Sequence, residues 1–115
     1  MFNGYHVSRK RNVVMTMTKR DLVARIARNL NIGQEDVMSI LQMALDTITD
    51  ELAAGNTIEF RNFGVFEVLK RKARVGRNPN RPKDVVAIPD RSVVKFKPGK
   101  EMRNRVLLID PSQLD

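Results

Sequence analysis

The chain has 115 residues, with 21 Lys and Arg against 13 Asp and Glu and a formal net charge of +8. That length suits one small domain, and that charge asks for an anionic partner without separating DNA from RNA or an acidic membrane surface. The lack of cysteine excludes disulfides, thiolate metal sites and cysteine nucleophiles; no apolar run approaches the ~18 residues of a membrane span, and none follows Arg9-Lys10-Arg11 to make a secretory signal, so a soluble, cytoplasmic protein is expected.

Residues 1–15 show no sustained periodicity and read as a flexible basic N-terminal tail. Its Arg9, Lys10 and Arg11 either add affinity for a polyanion or belong to a leader with no role, since Met15 and Met17 both precede the first ordered element. His6, the only histidine, reads as neither ligand nor base. Thr18 is a good N-cap, with Asp21 three residues on to complete a capping box and Met17 and Leu22 placed as a hydrophobic staple. A helix follows to about Leu30 with Leu22, Val23, Ile26, Ala27 and Leu30 on one stripe, broken by Asn31 and Gly33. A second, long helix opens at Gly33 with Glu35 and Asp36 in its first turn. Val37, Ile40, Leu41, Ala44, Leu45, Ile48 and Leu52 recur at helical spacing until Gly55, which suits a C′ cap. Met38 and Met43 widen that stripe beyond what one short helix covers, which implies a partner surface.

After Gly55 the period changes to two. Thr57 to Phe60 reads as a short strand, Arg61 to Gly64 as a turn, and a second strand follows with Phe66 and Val68 on one face and Val65, Glu67 and Leu69 on the other. The alternation runs on unbroken through Lys70, Arg71, Lys72, Arg74 and Arg77, where nothing remains to build a core. Residues 70–83 hold seven cations and no acid. Such a ribbon projects into solvent, reaching roughly 25 Å from Lys70 to Arg77 at strand spacing. Its mutual repulsion is relieved by a polyanion that releases its own counterions. The chain returns through Val85 to Ile88, passes Pro89 and re-enters the sheet from Val93 to Lys97. A last helix carries Met102, Val106 and Ile109 on one face, and Asp110 and Pro111 stop it.

Four strings carry a resemblance: Asn62-Phe63-Gly64-Val65-Phe66-Glu67-Val68, Gly76-Arg77-Asn78-Pro79, Ile88-Pro89, and Val94-Lys95-Phe96-Lys97-Pro98-Gly99-Lys100. Their order and spacing over about residues 16–108 resemble the HU and integration host factor family of bacterial DNA-bending proteins. The resemblance implies an α+β fold: two N-terminal helices, a three-stranded antiparallel sheet with a long projecting β-ribbon arm over about residues 70–88, and a short C-terminal helix. The domain spans 16–109, a tail spans 110–115, and two chains intertwine as a homodimer or a heterodimer with a paralogue. The arm residues are Lys70, Arg71, Lys72, Arg74, Arg77, Asn78, Pro79, Arg81 and Lys83. Pro79 is the implied wedge between base pairs, rigid and flanked by Arg77 and Arg81. Without the resemblance, Pro79 and Pro82 read as residues that shape a hairpin tip. The chain departs from the family in having Arg81-Pro82 where Thr-Gly is usual. About one extra residue between Pro79 and Ile88 can create a bulge. With Pro82 holding Arg81 extended, the residue expected at positive φ is Asn80.

Lys97, Lys100 and Arg103 flank the start of the last helix, which favours a phosphate; with Arg61 and Arg91 they form the implied saddle, the alternative being ordinary solvated charges. Phe60, Phe63, Phe66 and Phe96 read as core rather than as stacking platforms for single-stranded bases. No catalytic constellation, metal site or cofactor site is found. The expected function is architectural binding and bending of double-stranded DNA on the bacterial nucleoid, with little base readout, no small-molecule substrate and no membrane contact. An RNA-binding module using the same arm and a non-binding dimeric scaffold are the other readings.

Overall fold

Helix α1 (Lys19–Leu30) begins where the sequence offers a cap. The Asp21 N–H donates to the Thr18 hydroxyl at 3.2 Å and the Thr18 N–H donates to the Asp21 carboxylate at 3.0 Å, a reciprocal capping box. The Thr18 backbone bond first, and its hydroxyl second, hold the Asp21 carboxyl below its ordinary value. The helix ends at Asn31, whose φ of 56° is a left-handed value that asparagine tolerates, and Ile32 N–H closes onto the Ala27 carbonyl at 3.0 Å. The computed structural model describes residues 14–114; Arg9, Lys10, Arg11 and His6 lie outside them.

Helix α2 (Gln34–Ala53) follows, with Val37 N–H bonded to the Gly33 carbonyl. Its end is a Schellman motif: Gly55 takes φ 86°, Gly55 N–H bonds Leu52 O at 2.9 Å and Asn56 N–H bonds Glu51 O at 3.0 Å. The described residues divide into two compact units, one running to Thr47 and resuming from Lys100, the other Ile48–Gly99. In the first unit the α1 stripe meets the start of α2. Val23, Ala27 and Val37 are the buried hydrophobic residues, and Ile26, Met38 and Leu41 pack around them. Lys19 Nζ also donates to the Gln42 side chain across the two helices. This core is small, and part of the apolar side of α2 stays open: Ile40 is 67% and Met43 71% exposed, while Ile48 and Leu52 are half-buried. Helix α3 (Lys100–Val106) is shorter than expected. Leu108 and Ile109 close short turns onto Arg105 and Val106, so Ile109 lies beyond the helix. Asp110, extended as a residue before proline must be, caps a 3₁₀ turn, Pro111–Gln113, inside what was expected to be plain tail.

The second unit carries five strands: β1 (Ile58–Phe60), β2 (Gly64–Arg71), β3 (Arg74–Asn78), β4 (Arg81–Ile88) and β5 (Arg91–Pro98). β1, β2 and β5 form an antiparallel sheet in the order β1-β2-β5, and β3 and β4 bond only to each other. The β1–β2 turn closes through Phe63 N–H to Phe60 O at 2.9 Å, with Asn62 at φ 69°. Register divides the sheet by parity. Phe66 faces Phe96 and Ile58, and Val68 faces Val94, so these side chains share one face with Phe60. The other face carries Val65, Glu67, Leu69 and Arg71 beside Lys97, Lys95, Val93 and Arg91. The four phenylalanines pack on one another, with ring centroids 4.8 Å apart for Phe66–Phe96 and 5.7 Å for Phe63–Phe96, yet Phe60, Phe63 and Phe96 remain solvent-exposed in the single chain.

Candidate nucleic-acid interface

The arm is not the unbroken ribbon that the alternation suggests. Pairing of β2 with β5 ends at Arg71↔Arg91, and pairing of β3 with β4 begins at Arg74↔Ile88. Two rungs are missing, yet the register is the same on both sides, which sets Lys72 opposite Asp90 and Ala73 opposite Pro89. Pro89 has no N–H to give the ladder, so a proline at this rung interrupts it. The gap is bridged by a side chain: Ala73 N–H donates to Asp90 Oδ1, and Lys70 Nζ lies 3.4 Å from Asp90 Oδ2.

At the far end the hairpin turns through Pro79 and Asn80, with Asn78 paired to Arg81. Asn80 does not take a positive φ: Asn31 and Asn62 are the non-glycine residues that do so among those described. The expectation for Asn80 is therefore corrected. Instead Asn80 N–H bonds the Asn78 side-chain oxygen at 2.9 Å, an Asx turn that shapes the tip without left-handed backbone. The expected bulge is present and larger than one residue. Arg77 pairs with Val85 and the next residue, Asn78, with Arg81, so Pro82, Lys83 and Asp84 stand outside the ladder. Two bonds hold this loop: Arg77 Nη1 to the Pro82 carbonyl at 3.0 Å, and Arg81 Nε to Asp84 Oδ2 at 3.3 Å.

The cations of the arm thus fall into two groups. Lys70 and Arg81 have carboxylate partners, both in exposed pairs. Arg71, Lys72, Arg74 and Lys83 have no ion pair among the described residues, and Arg77 spends one N–H on a carbonyl while its charge stays uncompensated. Exposed pairs contribute little and exchange readily for a phosphate.

The implied saddle residues lie in three places. Arg91 and Lys97 share the cationic sheet face with Arg71, Arg61 sits in the β1–β2 turn, and Lys100 and Arg103 are spaced i, i+3 on α3 in the other unit. Lys97 is partly satisfied by Glu67, at 3.1 Å. Lys95 joins Arg91 and Lys97 on this face although it is not among the expected site residues; the alternation Lys95-Phe96-Lys97 carries the signal for it. Among the described residues no group of carboxylates and imidazoles is placed to hold a metal ion, and no helix is long and apolar enough to cross a membrane.

Residues 17–107 match a protein family described as "Bacterial DNA-binding protein". The chain is 43% identical over 91 residues to the probable DNA-binding protein HU of Chlamydia trachomatis, an alignment that covers 79% of this chain and 91% of that relative. It is 44% identical over 90 residues to the DNA-binding protein HU of Thermotoga maritima, covering 78% and 99%. Among solved structures, it is similar to Anabaena HU in a cocrystal with DNA, with a TM-score of 0.72 at 34% identity over 78% of this chain and 97% of that one. HU from Thermotoga maritima superposes with a TM-score of 0.56 at 32% identity, over 78% and 98%.

Proposed function

Since the chain belongs to the HU and integration host factor family of bacterial DNA-binding proteins, we propose that it is an architectural protein that binds and bends double-stranded DNA. The observation that carries this reading is the β3–β4 ribbon: it pairs only with itself, and most of its cations lack a carboxylate partner among the described residues. Such a ribbon tracks phosphates. In the minor groove it discriminates bases poorly, so sequence preference comes from how easily the DNA deforms. Pro79 is the wedge: a rigid ring at the turn, between Arg77 and Arg81, slides between base pairs, and the unstacking cost of a few kcal/mol is offset by phosphate contacts that only bent DNA allows. Arg91, Lys95 and Lys97 on the sheet, with Arg61, Lys100 and Arg103, hold the central part of the duplex. The protein acts by binding rather than by catalysis, on the nucleoid in the bacterial cytoplasm.

The functional unit is a dimer, of this chain or with a paralogue. Several features support it. The aromatic sheet face is left open, with Val94 58% exposed. Thr49, Leu52 and Ala53 of α2 line with Val68, Val93 and Val94 an apolar hollow of about 510 Å³. A monomer rarely leaves this much contiguous apolar surface to water, and a two-fold partner covers the same patch on both copies.

The test is binding to random-sequence duplex DNA as a function of salt, in competition with duplex RNA. Phosphate-dominated binding loses a factor of about 10³ or more between roughly 50 and 200 mM salt. A flat salt response, or preference for the RNA duplex, overturns the proposal.

A further inference from the structure

We propose that Asp90 is a positioning residue for DNA binding: its carboxylate replaces the missing ladder at the root of the arm and fixes the direction in which the arm leaves the sheet. The inference rests on the DNA-binding reading above and adds to it the part that aims the arm.

The geometry is specific to this rung. Where Pro89 deprives the ribbon of a backbone donor, two successive rungs fail, and the ribbon there is held by its two chain segments, Lys72-Ala73 and Pro89-Asp90. An unsupported joint of this kind is a swivel. Yet the register is preserved across it, and one side chain reaches from one segment to the other: Asp90 accepts from the Ala73 N–H with Oδ1 and meets Lys70 Nζ with Oδ2 at 3.4 Å. Asp90 therefore ties the last turn of chain before β5 both to the end of β2, through Lys70, and to the residue before β3, through Ala73. A carboxylate bonded to a backbone N–H is stronger than a neutral bond, so the tie restrains the joint more than the lost backbone rung alone suggests. An arm already aimed needs less ordering when it meets DNA, and that saving appears as affinity.

Asp90 carries a negative charge beside a polyanion-binding ribbon, so simple electrostatics makes a different prediction from the tie. On electrostatics alone, any substitution that removes the charge tightens binding equally. The tie distinguishes two substitutions with the same charge. Asp90→Asn keeps an oxygen for the Ala73 N–H and frees Lys70, whereas Asp90→Ala removes both contacts.

Duplex affinity and bend angle are measured for wild type, Asp90→Asn and Asp90→Ala at one ionic strength, together with hydrogen exchange at the Ala73 amide in the free proteins. The expected result is that Asp90→Asn binds as well as wild type or more tightly. Asp90→Ala binds up to about tenfold more weakly than Asp90→Asn, the interval a neutral hydrogen bond supplies, with a broader spread of bend angles. The Ala73 amide exchanges about tenfold or more faster than wild type in Asp90→Ala, and at a rate between the two in Asp90→Asn, whose bond to it is neutral. Equal affinities and bend angles for the two variants, or an Ala73 amide indifferent to both, overturn the role of Asp90. If wild type fails to bind duplex DNA, the functional reading falls, and the exchange data still decide whether Asp90 holds the joint.

Discussion

Gly64→Ala tests the packing that positions the cationic sheet face. A Cβ at residue 64 would lie 2.5 and 2.6 Å from two carbons of the Phe96 ring and 2.7 Å from the Lys97 carbonyl oxygen. Favourable carbon contacts begin near ~3.5 Å, so the added methyl lacks about 1 Å of room on two sides. The ring can tilt, but it already packs against Phe63 and Phe66. The carbonyl cannot retreat without pulling Lys97 away from Val65, its partner in the β2–β5 ladder. Overpacking of this kind costs about 1–3 kcal/mol, and alanine returns about 0.5–1 kcal/mol by restricting the unfolded chain. The net expectation is a loss of about 1–2 kcal/mol, or about 5–15 °C in Tm for a domain of this size. Thermal unfolding followed by circular dichroism, at one fixed protein concentration so that any association weighs equally on both proteins, reads it directly. Adding Phe96→Leu to Gly64→Ala should show a favourable coupling, since the smaller side chain relieves the ring contact. A Gly64→Ala protein that melts with or above wild type refutes the packing argument.

Pro79→Ala should reduce the bend angle read by end-to-end energy transfer and weaken binding to linear duplex by about tenfold, while binding to a pre-kinked duplex changes little, because the kink is then supplied in advance; unchanged values on both duplexes remove the wedge. Glu67→Gln releases Lys97, so DNA binding at low salt should tighten by up to about fivefold, with a salt dependence steeper by about one phosphate per subunit, as read from fluorescence anisotropy titrations. Asp21, with its carboxyl held below the ordinary 3.8 by the bonds from Thr18, contributes stability that is complete above that value and is lost as pH falls through the lowered one. The urea midpoint of Asp21→Asn should therefore fall below that of wild type near pH 7 and converge with it as the pH falls through the lowered value; a gap that does not narrow in acid contradicts this.

The elements defined by local chemistry were legible from the sequence. Thr18 with Asp21 specifies one helix start, Gly55 one helix end, and each is met by the hydrogen bonds that those residues can make. The strings that carried the family resemblance also have local physical reasons. Gly64 leaves room for Phe96 and Lys97, and Gly99 N–H bonds Phe63 O at 2.7 Å where a side chain would be crowded, since a Cβ there would meet Phe63 and Asn62 backbone at 3.1 Å. What escaped the sequence depends on residues far apart in it. Ala73 reads as one more step of an alternating strand, and only its placement opposite Pro89 ends the ladder there. The tip is similar: Pro82 signals an irregularity, but the release of Pro82, Lys83 and Asp84 together depends on Arg77 pairing with Val85. The end of α3 was missed for a different reason, because Val106, Leu107, Leu108 and Ile109 continue an apolar run while the backbone has already tightened toward Pro111.

Parity links the two halves of the proposed function. In β2 and β5 every second residue builds an aromatic face, and the residues between them build a face bearing Arg71, Arg91, Lys95 and Lys97. The first face needs a cover and the second needs an anion, and a one-residue slip would exchange them along the whole strand. A second copy of the chain laid against the aromatic face would leave the cationic face free, so in the proposed function association and DNA binding would use opposite sides of one thin sheet. On this argument Val94→Glu, which puts a charge on the aromatic face, should weaken association and DNA binding together in sedimentation and binding assays. Lys95→Glu, its neighbour on the opposite face, should weaken DNA binding and leave association intact. Two substitutions one residue apart with these separable effects are what the alternation requires, and equal effects on association would mean that the sheet does not divide its work between its faces.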